Sequence, residues 1–419
     1  MFSGVIDRKP VTTSTGSAPA AAEETVAALS RVLLRRQEEL LSVLTRVATH
    51  QAAQDEFFRS LRVLAGAPWE LSRTVPGRLG RLATFLPSNN LLYSYVLFGV
   101  VPSLYTDRVL IRPSARVSET AMAVHDILGP MVREWGGNLD MRRVSQREFL
   151  DDCALSDAVV FTGQPDNAEH VARRLPRESL LLSFGSGPNP VVVGPDSDPD
   201  TVCRTVLDAR LYNSGQDCLS TDIVFLHRSV AREVTARLAD ALRAVEVGDR
   251  RDPATRVSSL VYPDAVAGAD RFLTENRELV VVGGGTDVER NIVEPTLLHM
   301  PWNARFHPPE FFSPVLLTME YDDPAQIVEW LNTPMERERG MYVSNFGEPG
   351  LAGPRIGTST VCENQITFDV EDGNRPFGGY GPRAGNVRRF GEIQGRPLLL
   401  SAEAARAGGG PVATARPRP

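Results

Sequence analysis

The sequence predicts an α/β fold with doubly wound parallel sheets, and three observations carry that expectation. From about residue 80, short apolar runs alternate with amphipathic helical stretches, the rhythm of βαβ units. A second α/β segment follows the first, and 419 residues are too many for one small core. Hydrophobic content of 42% and charged content of 23% belong to an ordinary globular chain.

The elements follow in order. Residues 1 to about 20 are rich in Ser, Thr, Ala and Pro and are expected to be disordered. Between residues 23 and about 49, Val26, Leu29, Leu33, Leu40, Leu44 and Val47 recur at the spacing of one amphipathic helix or two. A further helical stretch runs through Phe57, Leu61 and Leu64. The longest apolar run, 91–104, is too short for a bilayer span and reads as a buried helix. Residues 109–111 form a short strand, and Ser118 caps a helix running towards Trp135. Residues 158–161 form another strand, followed by a turn at Gly163 and a helix through Val171. A third strand lies at 180–182. The second segment repeats the rhythm, with strands at 191–193 and 223–226 and helices near 199–211 and 230–245. Gly283-Gly284-Gly285 has no helix signal behind it, so it reads as a turn rather than a phosphate cradle. After about Glu403 the tail is Ala, Gly, Pro and Arg and is expected to be unfolded.

Composition excludes several classes. A net charge of -7 argues against a nucleic-acid surface or a polybasic membrane patch. The first twenty residues lack an apolar core and a cationic start, so no signal peptide is expected. Four unpatterned cysteines fit a reducing cytoplasm. The six histidines show no ligand spacing, so no metal site is expected. Lys9 is the only lysine, and arginine carries the other positive charges.

The most informative segment is Asn213-Ser214-Gly215-Gln216-Asp217-Cys218. It places one cysteine after a glycine turn, which makes Cys218 a candidate nucleophile. Cys153, Cys203 and Cys362 have no such setting and read as structural. The hexapeptide resembles the active-site loop of the aldehyde dehydrogenase superfamily, roughly N-x-G-Q-x-C. Five other segments occur in that family's order. Leu86-Pro87-Ser88-Asn89-Asn90 resembles P-W-N, and Arg112-Pro113-Ser114 resembles K-P-S. Phe161-Thr162-Gly163 resembles F-T-G-S. Pro309-Glu310-Phe311-Phe312-Ser313-Pro314-Val315 resembles E-E-I-F-G-P-V, and Pro376-Phe377-Gly378-Gly379-Tyr380 resembles P-F-G-G. Together they span about residues 80 to 402.

The resemblance implies a Rossmann-type cofactor domain over 21–187 with 376–402, and an α/β catalytic domain over 188–375 carrying the cysteine. The flanks 1–20 and 403–419 stand outside both. It implies that Asn89 and the backbone N–H of Cys218 stabilise an oxyanion. Arg112, Ser114, Gly163, Gln164, Glu310 and Phe312 are the implied cofactor residues, with Gly163 opening a helix towards the pyrophosphate. The family often has a glutamate where Ala115 stands when NAD is preferred. Here that carboxylate is absent and Arg112 and Arg116 flank the gap, which favours NADP with NAD as the alternative. Gln164 and Ala168 replace smaller residues and are expected to narrow the space. A homodimer is implied, although the lead-in before residue 86 is about half the family's length.

One departure has chemical weight. In place of the family's E-L-G-G-K-N-P the chain reads Ser183-Phe184-Gly185-Ser186-Gly187-Pro188-Asn189-Pro190. Ser183 takes the position of the general-base glutamate, and a serine cannot deprotonate water near neutral pH without a base of its own. Asp217, Glu363 and Asp369 are candidate substitutes. The resemblance therefore points to branches that reduce acyl thioesters or acyl phosphates, carrier-bound ones among them, to aldehydes, or run the reverse reaction and transfer the acyl group to coenzyme A. Ordinary aldehyde oxidation with a substitute base and a repurposed, non-catalytic member are the alternatives.

Overall fold

The computed structural model describes residues 18–351 and 355–408. Two sheets organise them. The first has seven strands in the spatial order Glu392–Gly395, Gly385–Arg389, Leu180–Phe184, Ala158–Thr162, Leu79–Phe85, Thr106–Arg112 and Leu139–Met141. Its five strands before residue 190 are parallel, and the antiparallel hairpin from residues 385–395 is added at one edge. The second sheet has eight strands, ordered Arg355–Ile356, Ser359–Glu363, Tyr342–Phe346, Val191–Val193, Ile223–His227, Val315–Tyr321, Thr296–Met300 and Val280–Val282. Only its two outermost strands pair antiparallel. The central strands are runs of Val, Ile, Leu and Phe because helices cover both of their faces.

The helices match the sequence rhythm in most places. The lead-in folds as two helices, Ala18–Arg35 and Gln37–Leu44, broken at Arg36. The next, His50–Thr74, is capped by Thr49, whose hydroxyl accepts from the Ala52 N–H. Pro199–Leu211 forms the predicted helix, capped by Asp198. The strand at 223–227 and the helix Arg228–Arg243 also lie where expected. The triple glycine links the strand Val280–Val282 to the short strand Thr286–Asp287, so it is a turn. Gly283 has φ +74°, and a Cβ there would stand 2.3 Å from the Pro295 carbonyl oxygen.

Three expectations need correction. Ser118 is the first helical residue of Ser118–Glu134 rather than its cap: a short 3-10 turn, Ala115–Val117, leads in, and Val117 stands at the cap. The apolar run 91–104 is not one helix. It starts as Leu91–Tyr95, widens to a π turn over Val96–Val100, and tightens to 3-10 at Pro102–Leu104, where the proline interrupts the ladder. The expected disorder also overreached at both ends. Residues 18–20 begin the first helix, and Glu403 is buried within the helix Leu400–Ala407, where it pairs with Arg396 and Arg406. The remaining positions of both segments lie outside the described residues. Among the described residues, no helix is long and apolar enough to cross a membrane, and no cluster could hold a metal ion.

The sheet topology positions the site. Four parallel strands of the first sheet end, at their carboxyl ends, in Leu86–Asn90, Arg112–Ser114, Gly163–Gln164 and Gly185–Ser186. All four endings line one cavity, as the crevice rule for open α/β sheets requires.

Candidate active site

The cavity has a volume of about 930 Å³. Its wall joins the ends of the first sheet to two loops of the second, the Cys218 loop and the Glu310 loop.

The Cys218 loop is shaped by three successive left-handed residues, Asn213 (φ 46°), Ser214 (φ 61°) and Gly215 (φ 79°). A Cβ on Gly215 would stand 2.4 Å from the Ser313 carbonyl oxygen, so only glycine fits. The other motif side chains hold the loop. Asn213 Oδ1 accepts from the Thr49 N–H (3.2 Å), Ser214 Oγ from the Ser258 N–H (2.9 Å) and Gln216 Oε1 from the Val261 N–H (2.7 Å). Arg210, fully buried, donates to the Gly215 carbonyl (2.7 Å), the Thr221 carbonyl (3.0 Å) and the Asp222 carboxylate (2.5 Å). The same Asp222 oxygen accepts from the Phe311 N–H (3.0 Å). One buried ion pair thus fixes both loops that face the cavity. Asn189 adds a clamp: its Nδ2 donates to the Cys218 carbonyl (2.7 Å) and the Gly187 carbonyl (2.9 Å).

Cys218 is half-buried on the wall. Burial pushes its thiol well above the ordinary range, and the adjacent Asp217 carboxylate pushes the same way. Cys153, Cys203 and Cys362 are buried free thiols away from the cavity, as expected of structural cysteines.

Asn89 also lines the cavity. Its Oδ1 accepts from the Tyr262 hydroxyl (3.0 Å), which leaves the Nδ2 group as a donor. Its neighbour Asn90 is left-handed (φ 49°) and donates to Asp217 (2.5 Å). Glu56, buried in the helix His50–Thr74, accepts from the Tyr93 N–H (3.1 Å) and so caps the helix that starts just after Asn90. Burial raises the Glu56 carboxyl to about 7.

Ser183 is not on the cavity wall. It is buried, and its hydroxyl has no hydrogen-bond partner among the described residues. Phe184, Gly185 and Ser186 line the cavity instead. The candidate substitute bases separate clearly. Glu363 is exposed on a strand of the second sheet and receives a hydrogen bond from Asn345 (3.3 Å). Asp369 caps the short helix Thr367–Val370, accepting from the Ile366 N–H (3.1 Å). Neither lines the cavity. Asp217 does, but its oxygens already accept from Asn90 and from the Leu219 N–H (2.8 Å). The structure adds Glu371, which motif reading missed. It lines the wall, and Arg59 and the Tyr93 hydroxyl donate to its two oxygens.

The implied cofactor residues come together in the same cavity. Arg112, Ser114, Gly163, Gln164, Glu310 and Phe312 all line the cavity. Arg112 is half-buried and uses Nε to hold the Val144 carbonyl (3.1 Å). No carboxylate pairs with it among the described residues, and burial lowers its pKa. An unpaired, partly desolvated guanidinium suits a phosphate. Arg116, by contrast, is spoken for by Asp264 (2.6 Å) and lies over the Tyr262 ring. Ala168 faces the core, packed among Phe85, Phe149 and Phe161, so it does not narrow the cavity; Gln164 alone stands there. The helix beyond Gly163 starts at Pro165, which has no N–H to offer. Burial raises the Glu310 carboxyl to about 7, and the Ser186 hydroxyl donates to it.

A family model described as "Aldehyde dehydrogenase family" matches residues 146–391, more than half of the sequence. The chain belongs to the aldehyde dehydrogenase family. A probable succinate-semialdehyde dehydrogenase [NADP(+)] from Synechocystis is 26% identical over 325 residues, covering 75% of this chain and 70% of that protein. The α-aminoadipic semialdehyde dehydrogenase of Mus musculus is 31% identical over 193 residues, 44% of this chain and 35% of that one. Among solved structures, succinic semialdehyde dehydrogenase from Streptococcus pyogenes aligns with a TM-score of 0.77 at 15% identity, covering 91% of this chain and 90% of that chain. Glyceraldehyde-3-phosphate dehydrogenase from Methanocaldococcus jannaschii aligns at 0.75 with 16% identity, covering 89% and 90%. These likenesses establish the α/β architecture of this aldehyde dehydrogenase family member.

Two outcomes follow from the geometry. Arg210→Ala leaves Asp222 buried and unpaired, so it should cost about 3–5 kcal/mol of stability; urea unfolding reads this, and a loss below about 1 kcal/mol contradicts it. Asp217→Asn removes the negative charge beside Cys218 and keeps the acceptor for the Leu219 N–H. The thiol pKa should fall, and iodoacetamide should alkylate Cys218 faster at about pH 8, by roughly tenfold for each unit of the fall. An unchanged rate contradicts the role given to that charge.

Proposed function

We propose that this protein is an NADP-linked acyl reductase, converting an activated acyl group, a thioester or acyl phosphate, to an aldehyde through a covalent adduct on Cys218, or running the reverse. The observation that carries this reading is Ser183. It stands in the base position, off the cavity wall, and the carboxylates nearest Cys218 are already engaged in hydrogen bonds. Neither this serine nor the two engaged carboxylates, Asp217 and Glu371, offers water a free base.

The chain's own groups account for the chemistry. The Cys218 thiolate adds to the acyl carbon and expels the carrier thiolate or phosphate, leaving a thioester on Sγ. Asn89 Nδ2 would stabilise the alkoxide formed at each addition; the Tyr262 hydroxyl, donating to Asn89 Oδ1, supports this by leaving Nδ2 as the donor. NADPH, when bound, supplies the hydride. The resulting thiohemiacetal collapses: the carbonyl re-forms, the C–S bond breaks, and the electron pair returns to Sγ. Arg112 would hold the 2′-phosphate, and Glu310, kept in place by Ser186, would accept from the nicotinamide ribose. The Synechocystis relative's name specifies NADP(+), and both structures named above were solved with NADP. All three semialdehyde dehydrogenases above are named as dehydrogenases, and oxidation with Asp217 or Glu371 as base is the competing reading.

Arg112→Ala should weaken NADPH binding more than NADH binding, by roughly tenfold or more for one lost charge-assisted phosphate contact. Equal losses for both cofactors overturn the preference. Glu310 is neutral below about pH 7 and charged above it, so cofactor affinity should rise with pH through that value. A flat profile contradicts the ribose role. The reading itself is tested by NADPH with a short acyl thioester, which should yield free aldehyde. No aldehyde with either a thioester or an acyl phosphate, together with rapid oxidation of aldehydes to acids, would overturn it.

A further inference from the structure

The loop that carries Glu310 is gripped on both sides of that residue. It crosses from the strand Thr296–Met300 to the strand Val315–Tyr321 without helix or strand of its own. Asp222 ties it just after Glu310, through the Phe311 N–H. Just before Glu310 stand Pro308 and Pro309. Their nitrogens carry no hydrogen, so the backbone can be tied there only through its carbonyls.

Two short helices, Pro324–Leu331 and Pro334–Arg339, supply the ties on that side. Three successive loop residues are held in turn. The buried Trp330 donates through Nε1 to the Phe306 carbonyl (2.9 Å), and its ring stacks on His307 with centroids 5.3 Å apart. Glu336, also buried, accepts from His307 Nδ1 (2.6 Å). Arg339 donates through Nη1 to the Pro308 carbonyl (2.8 Å). The Arg339 fork is itself aligned by Glu336, with Nε to Oε2 at 2.9 Å and Nη2 to Oε1 at 2.5 Å. Arg339 reaches Glu310 by a second route. A Cβ on Gly187 would stand 2.6 Å from the Arg339 carbonyl oxygen, so the Arg339 backbone rests against the turn that carries Ser186. The Ser186 hydroxyl donates to Glu310. None of His307, Glu336 and Arg339 lines the cavity, so any effect they have on a bound cofactor passes through other residues.

We infer that Arg339 and Glu336 are positioning residues for Glu310, acting as one ion pair that sets where its carboxylate lies through the Pro308 carbonyl and the Ser186 turn. The charges around Glu310 support the pairing. Burial raises its carboxyl most; the Ser186 hydrogen bond and the Arg339 guanidinium lower it, and Asp222 and Glu336 raise it. The two halves of the pair thus act on Glu310 with opposite sign. The bearing of this pair on the cofactor rests on the ribose role proposed for Glu310; its bearing on the Glu310 carboxyl does not.

The test follows two readouts across pH. One is NADPH affinity, from quenching of intrinsic fluorescence. The other is the Glu310 carboxyl itself, from infrared spectra of protein carrying isotope-labelled glutamate, each read against the same protein with Glu310→Gln. In the unmodified protein both should change at about pH 7. Arg339→Gln removes the cation that favours the charged carboxylate, so both midpoints should move to higher pH. Its NADPH affinity at high pH, where Glu310 is charged, should also fall by roughly tenfold, the equivalent of one charge-assisted hydrogen bond. Glu336→Gln keeps an acceptor oxygen and removes the anion, so both midpoints should move to lower pH. General loosening of the loop would not give opposite shifts from the two halves of one pair. Arg339→Met serves if Arg339→Gln does not fold. A carboxyl midpoint unmoved by both substitutions, or moved the same way by both, overturns the inference. So does an affinity step in the unmodified protein with no loss at high pH in Arg339→Gln. Opposite carboxyl shifts beside a flat affinity profile would sink the ribose role of Glu310 alone.

Discussion

The site depends on the buried ion pair between Arg210 and Asp222. Arg210 has no exposure to solvent, and its hydrogen bonds reach the Gly215 carbonyl before the cysteine and the Thr221 carbonyl after it. Asp222 reaches across to the Phe311 N–H and so fixes the loop that carries Glu310 and Phe312. The proposed nucleophile and the proposed ribose ligand are therefore positioned by one pair of charges. Such a pair contributes little net stability compared with a well-packed apolar replacement, but breaking it is costly. Its value here is geometric: three consecutive left-handed residues in the Cys218 loop are strained for all but glycine, and the hydrogen bonds of Arg210 and Asn213 hold them in place.

Around that fixed frame the chemistry is asymmetric. The proposed nucleophile, the proposed oxyanion donor and a guanidinium with no carboxylate partner among the described residues line one cavity, while the position expected to activate water holds a serine hydroxyl off the wall and without a partner among the described residues. Burial, and after it the Asp217 carboxylate, push the Cys218 thiol up, so the thiol rather than the thiolate is the favoured form.

Much of this was legible from residue order. The strand ends that line the cavity were marked by short motifs, and every residue expected at the cofactor cleft lies on its wall. Glycine at 215 was readable because a turn needed it. The misses have a common physical cause. Arg59, Glu371 and Tyr93 meet across 312 and 278 residues of sequence, and neither spacing nor periodicity reports such a pairing. Ser186, Asn189 and Tyr262 act by bridging loops, and their types alone do not distinguish them from surface polar residues. Glu56 sits in a helix that reads as purely amphipathic; its cap on the next helix appears only when the two pack. Arg116 looked like a phosphate ligand by position, and the structure pairs it with Asp264, a partner that sequence order did not reveal. Ala168 looked like a cavity residue by motif, but it is the inner face of its helix.

The central claim is that the acyl group on Cys218 survives because no base activates water. The most direct measurement is the lifetime of that adduct in a single turnover. The protein is mixed with an aldehyde and oxidised cofactor, without any thiol or phosphate acceptor, and intact-mass spectra are taken over time. The account predicts one equivalent of reduced cofactor per protein chain, formed in a burst, with an acyl mass on Cys218 that persists until a thiol is added. Steady formation of acid, with no burst and no acyl mass at Cys218, would contradict it.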